Sequence, residues 1–154
     1  MKTLIAFYSR TGTTRKVAEE IAGQLKCKSE EIIDTKNRSS VLGYIKAGKD
    51  ATLKRLTLIQ KTKNQPENYE LIIIGTPVWA HNMAPAVRAY IMQNKDKFRK
   101  TAFFCTMGGT GADSTFREME KISAKPAATL VLTAKEVVAG KFADKVKVFV
   151  NKLK

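Results

Sequence analysis

The chain has 154 residues, 44% of them apolar, which is material for one domain, residues 1–154, with a single sizeable core. Its 28 Lys and Arg against 14 Asp and Glu leave a formal net charge of +14, which implies an acidic partner or surface. Apolar runs of no more than five residues exclude a membrane span or signal peptide, and two cysteines make neither a disulfide framework nor a metal cluster, so the expectation is a cytoplasmic protein with Cys27 and Cys105 reduced and structural.

Leu4-Ile5-Ala6-Phe7 reads as a first strand, Ser9-Arg10-Thr11-Gly12-Thr13-Thr14 as a loop, and the spacing of Val17, Ile21 and Leu25 as an amphipathic helix. Ile32-Ile33, within Ser29 to Asp34, suggests a short edge strand. From Thr35 to Glu67 no strand pattern appears; Leu42 and Ile45, then Leu53, Leu56 and Ile59, recur at helical spacing and predict one or two helical pieces. Eight basic residues and one acid lie between Lys36 and Lys63, so half of the net charge sits in this segment. Tyr44 is its only aromatic and no nucleic-acid-binding spacing appears, so a solvated or protein-docking basic face is favoured over nucleic acid.

Leu71-Ile72-Ile73-Ile74, ended by Gly75 and closed by Pro77, reads as a central parallel strand buried on both faces. Pro85 to Asn94 predicts a helix with Pro85 in its first turn and Val87, Tyr90 and Ile91 on one face. Ala102-Phe103-Phe104-Cys105 is a further strand, followed by a glycine-rich loop and by capping-box spacing at Thr115 to Glu118 that places the next helix start. Leu130-Val131-Leu132 makes a fifth strand, and Phe142, Val146, Phe149, Val150 and Leu153 give the last helix an apolar stripe.

This alternation predicts an α/β fold: a doubly wound five-stranded parallel sheet, order 2-1-3-4-5, with helices on both faces. A ligand is then expected outside the carboxyl ends of the first and third strands, where loops 9–14, 75–85 and 106–113 converge. Four hydroxyl side chains around Gly12, directly ahead of a helix start with its unpaired N–H groups, suit a phosphate monoester. The loop has neither the glycine spacing and Lys of a nucleoside-triphosphate loop nor a G-x-G-x-x-G fingerprint.

The Ser-x-Thr-Gly-x-Thr arrangement of Ser9 to Thr14 resembles the FMN phosphate loop of flavodoxins, and the resemblance continues at Gly75-Thr76-Pro77-Val78-Trp79 and at Thr106-Met107-Gly108-Gly109-Thr110-Gly111. Flavodoxin is itself an example of the switch-point rule, so the two arguments are not independent. The resemblance implies a flavodoxin-like FMN protein in which Ser9, Arg10, Thr11, Gly12, Thr13 and Thr14 receive the phosphate, Arg10 itself pointing to solvent. It assigns flavin contact to Pro77, Val78, Trp79, Ala80, His81 and Asn82, with the single tryptophan a candidate for ring stacking. It assigns the pyrimidine edge to Thr106, Met107, Gly108, Gly109, Thr110 and Gly111.

His81, the sole histidine, has no partners for metal or triad chemistry, and no catalytic or metal-ligating residue is identified. Thr76 to Pro85 contains no glycine, so a left-handed turn there is costly, Asn82 being the residue that best tolerates it. A phosphorylation receiver of the same fold is excluded because the first and third strands end in Tyr8-Ser9 and Gly75-Thr76, without carboxylates for a divalent cation. The implied function is electron transfer, with an acidic ferredoxin or reductase as partner; the alternatives are an NAD(P)H-dependent flavin or quinone reductase and a cofactor-free interaction domain using the basic face.

Overall fold

The computed structural model describes residues 1–36 and 57–154. The predicted helical pieces around Leu42, Ile45, Leu53 and Leu56 lie outside the described residues. Five parallel strands run β1 (Thr3–Phe7), β2 (Lys28–Glu31), β3 (Leu71–Trp79), β5 (Thr101–Met107) and β6 (Thr129–Thr133), in the spatial order β2-β1-β3-β5-β6. This is the expected doubly wound order. The two-residue β4 (Asn82–Met83) is additional and pairs antiparallel with β3.

The sheet is covered on both faces. One face packs against α2 (Pro85–Asn94) and α3 (Ala112–Ile122), burying Ile72, Ile74 and Phe103 with Val87, Tyr90, Ile91 and Met119. The other packs against α1 (Thr13–Leu25), the short α4 (Ala134–Val138) and α5 (Ala143–Leu153), burying Ile5, Phe7, Leu71 and Ile73 with Val17, Ile21, Phe149 and Leu153. The run Leu71 to Ile74 therefore serves both layers at 0% exposure, each side chain contributing about 1.5–3 kcal/mol by burial. Cys105 is enclosed in β5, where burial pushes its thiol up to about 12, and Cys27 is partly buried; both are free thiols.

Four expectations are corrected. The edge strand is Lys28–Glu31, one turn of the pleat earlier than Ile32-Ile33: its sequence is polar because an edge strand over the end of the sheet needs little apolar cover, and Ile32 enters the core just past its end while Ile33 is exposed. Ile59 forms an antiparallel bridge to Asp34 and does not continue a helix. Pro77 does not close β3, which runs on to Trp79. Gly75 O accepts from Tyr8 N, so odd-numbered β3 residues face β1; β1 has ended by Pro77, and the missing N–H costs no ladder bond.

Thr115 does not cap a helix either. Helix α3 begins at Ala112 behind Gly111 (φ 101°), and the Thr115 hydroxyl donates to Gly111 O at 2.8 Å from within the helix. A reciprocal capping box is present at Thr133 and Glu136, at the start of the unexpected α4.

Candidate functional site

Helix α1 begins as its sequence demands. Gly12 is its N-cap at φ 98°, a left-handed conformation that the missing Cβ permits. The Ser9 hydroxyl accepts from Gly12 N at 3.0 Å and Arg15 N at 3.2 Å, and Lys16 N donates to Gly12 O. Thr13 and Thr14 occupy the first two helical positions, whose N–H groups have no intrahelical acceptor, so two donors and the positive end of the dipole remain at the loop. Arg15, in the same turn, is held away by a two-pronged pair to Glu31, with Nη2 to Oε1 at 2.8 Å and Nε to Oε2 at 3.1 Å.

The four hydroxyls of the loop divide their work. Ser9 braces the turn from within, and buried Thr14 shares a 2.8 Å hydrogen bond with the Thr106 hydroxyl at the end of β5, tying the first loop to the third. Thr11 is exposed and Thr13 partly so, leaving both available at the surface of the cleft. Arg10 is partly buried and lines the cleft, contrary to the expectation that it points to solvent.

One cleft joins the carboxyl ends of β1, β3 and β5. Ser9, Arg10, Thr11, Thr13 and Thr14 form one wall, Pro77, Val78 and Trp79 the second, and Thr106, Met107 and Gly108 the third; Ala134, at the start of α4, was not anticipated. The three sequence-marked loops thus meet at the first switch point of the sheet.

The second loop is a hairpin, and its tip is strained. Val78 pairs with Met83 and Trp79 with Asn82, so only Ala80 and His81 turn the chain, at φ 48° and 61°. Both are in the left-handed region that such a two-residue turn requires and that Asn-Gly usually supplies. Asn82, the residue expected to take that conformation, is instead extended and buried: its Oδ1 accepts from Met83 N at 2.8 Å and from Arg88 Nη2 at 3.0 Å. Ala80 and His81 are exposed at the tip and do not line the cleft, nor do Gly109 and Thr110.

Trp79 is the last residue of β3 and not a loop residue. It is 6% exposed and packs edge-on to Tyr8, with centroids 5.4 Å apart and planes at 86°, so it is a braced wall of the cleft. Gly111 supports the hairpin from below. A Cβ there would lie 2.8 Å from Val78 Cγ1 and 3.0 Å from His81 Cα, so both contact and φ require glycine. Arg88, which sequence reasoning missed, was signalled by a lone charge inside the apolar stretch of α2; burial pushes its guanidinium below the usual range while Glu118 acts in the opposite direction.

Among the described residues no group of His, Cys, Asp and Glu could hold a metal, and no helix is long and apolar enough to cross a membrane. A doubly wound parallel sheet with a hydroxyl-rich loop at a helix start, a braced aromatic wall and a glycine-rich third loop at one switch point defines a flavodoxin-like α/β protein. The chain belongs to the flavodoxin family, whose pattern matches residues 2–153.

Among solved structures it is similar to a flavoprotein from Lactobacillus acidophilus in complex with FMN, at 25% identity and TM-score 0.72 over 90% of this chain and 97% of that one. A Fusobacterium nucleatum flavodoxin bound to flavin mononucleotide matches at 15% identity and TM-score 0.60, over 99% and 97%. The general stress protein 14 of Treponema denticola, in complex with FMN, matches at 13% identity and TM-score 0.58 over the whole of both chains. No curated protein matches the chain.

Proposed function

We propose that this protein binds FMN and carries reducing equivalents between redox partners. The supporting observation is the single cleft lined by loops from three strand ends, with helix-start amides and threonine hydroxyls on one side and Trp79 on another. The phosphate belongs at Ser9 to Thr14, where the donor set is neutral hydroxyls and amides at a helix N-terminus. The ring belongs between Pro77 to Trp79 and Thr106 to Gly108, with Gly111, at the end of the third loop, packed against the hairpin. Three FMN complexes with the same fold support this reading. The flavin supplies the redox chemistry when bound, and the chain supplies binding, orientation and exclusion of water.

Among the described residues that line the cleft Arg10 is the one ionisable group, and none is a carboxylate, histidine or cysteine placed to move a proton, which favours carrier over reductase. Titration of apoprotein should give one tight site for FMN and much weaker binding of riboflavin. Equal affinities would refute the phosphate assignment. The loaded protein should oxidise NADPH only when a reductase is added; turnover alone would assign it to the enzymes of this fold.

The partner of this proposal is an acidic redox protein. The clasp in which Thr35 N and Oγ1 donate to Leu58 O, and Thr57 Oγ1 donates to Asp34 Oδ1, brings the two ends of the basic segment together beside Ala89, Met92 and Gln93 of α2. Changing Lys46, Lys49 and Lys54 to Glu should slow reduction by an acidic ferredoxin chiefly at low salt, because exposed charges are screened over about 8–10 Å. Unchanged low-salt rates would rule out docking there.

A further inference from the structure

The opposite end of the sheet carries a second recess with a different chemistry. It has a volume of about 250 Å³ and lies between the turn that precedes β5 and the segment that follows α3, lined by Lys95, Arg99, Lys100 and Lys125 with Thr101 and Ser123. Phe98, Ala124 and Ala127 complete the wall, and no Asp or Glu contributes to it. The four cations make no ion pair with a carboxylate among the described residues; the neighbouring Lys97 is the one that meets Glu67, at 3.7 Å. Charges of one sign held around a concave surface focus their field into it.

A second observation comes from beneath the charges. Thr101, the first residue of β5, is 2% exposed, and its Oγ1 has no hydrogen-bond partner. It shares a sheet face with Phe103, two residues on, beneath the α2 and α3 layer that the recess indents. A buried hydroxyl left unbonded destabilises a fold, and the isosteric valine would suit a strand better. Ser123 differs, since its hydroxyl already donates to Met119 O at 2.7 Å. The recess therefore combines four unpaired cations at its rim with an unused donor at its floor.

We propose that this recess binds a compact phosphate-class anion, a site separate from the flavin cleft. Six residue steps along β5 separate Thr101 from Met107 at the cleft, about 20 Å, so the two anions do not compete for the same groups. The Arg99 guanidinium offers a planar fork for phosphoryl oxygens, Lys95, Lys100 and Lys125 supply point charges, and Thr101 donates from below. A phosphate group uses all of these at once, with three or more acceptor oxygens pointing in different directions; a single carboxylate cannot.

Calorimetry with inorganic pyrophosphate on FMN-saturated protein tests this, the cleft being blocked in advance. One saturable site that weakens with rising salt is expected, and citrate, a tricarboxylate of comparable charge, should bind at least tenfold more weakly. Arg99→Gln with Lys100→Gln should weaken pyrophosphate at least tenfold, whereas Lys141→Gln with Lys147→Gln, which removes the same charge elsewhere, should change it less than twofold. Thr101→Val should weaken pyrophosphate about threefold or more and yet raise the melting temperature of the ligand-free protein by about 2–4 °C. Absence of a saturable site, equal losses from the two double variants, or unaltered affinity in Thr101→Val would each overturn the proposal. None of these readouts depends on the electron-carrier role.

Discussion

The first and second loops of the cleft solve the same problem, a sharp reversal at a strand end, by opposite means. Ser9 to Thr14 places its left-handed residue on Gly12, where a Cβ would meet only Arg15 Nη1 at an ordinary 3.5 Å; the backbone is relaxed and the side chains are free to recognise an anion. The hairpin places Ala80 and His81 in the same region without glycine, and holds them there by pairing with β4, by the Asn82–Arg88 hydrogen bond and by the close contact of Gly111. In the first loop local sequence determines conformation, and in the second the surroundings impose it. Strain of this kind costs on the order of 1–3 kcal/mol per residue and persists only where packing over-determines it.

The largest expected effect belongs to the relaxed loop. Thr11→Ala with Thr13→Ala removes the two hydroxyls that stand at the surface of the cleft, each worth roughly 1.5–3 kcal/mol toward a charged group, so FMN affinity should fall by about 100-fold or more. Thr14 is left in place, so its bond to Thr106 and with it the shape of the cleft are kept. Riboflavin binding should change by less than threefold in the same titration. A parallel loss for riboflavin would mean that these residues shape the cleft and do not read phosphate.

Next comes the support of the strained loop. Gly111→Ala sets a Cβ against Val78 and His81 and also forces alanine to φ 101°, so it should cost about 3 kcal/mol and lower the melting temperature by about 6–12 °C. Gly12→Ala meets the backbone penalty alone and should cost only about 1–2 kcal/mol. Equal losses from the two variants would show that Gly111 is needed for its backbone freedom and not for its contact with the hairpin.

Releasing the strain should act in the other direction by a smaller amount. Ala80→Asn with His81→Gly installs the residues that a primed two-residue turn prefers. The gain from relaxed backbone is partly offset by the greater freedom of glycine in the unfolded chain, leaving about 1 kcal/mol, or about 2–4 °C in thermal melts. No gain would mean that Ala80 and His81 are unstrained as they stand.

The same contrast explains what could be read in advance. Strand order, both helix layers and the convergence of three loops were legible because Leu71 to Ile74, Phe103-Phe104 and the stripe from Val146 to Leu153 are apolar at spacings that only a buried parallel sheet and its covering helices use. Gly12 announced the turn into α1 for the same local reason. The hairpin was not legible: Asn82, the residue of Trp79-Ala80-His81-Asn82 best suited to a left-handed turn, is not the one that takes it, and Pro77 argues for a break that occurs only if its nitrogen faces a neighbouring strand. The side-chain bond between Thr14 and Thr106 spans 92 positions and leaves no local trace. The recess around Thr101 was hidden likewise, since a threonine at a strand start is ordinary until its hydroxyl proves to have no partner.

The smallest prediction separates a true local motif from its false copy. Thr115 and Thr133 both precede a glutamate by three, but Thr133 Oγ1 accepts from Glu136 N at 3.1 Å while Thr115 Oγ1 donates backward to Gly111 O. A cap must accept, because a helix start presents unpaired donors. Thr133→Ala should therefore cost about 1 kcal/mol, the usual worth of a cap. Its partner makes the effect pH-dependent. The Lys145 ammonium, which donates to Glu136 Oε1, and then Thr133 N, which donates to Oε2 at 2.8 Å, hold the Glu136 carboxyl below the usual glutamate range. A carboxylate whose pKa is lower folded than unfolded adds stability that is fully present above the unfolded value, about 4.3, and is lost as pH falls through the folded one. Glu136→Gln should thus melt below the parent protein by a constant margin from pH 8 to about pH 5, and the two curves should converge as pH drops toward 3. A margin that stays constant down to pH 3, or none at pH 7, would show that Glu136 contributes shape to the start of α4 and not charge.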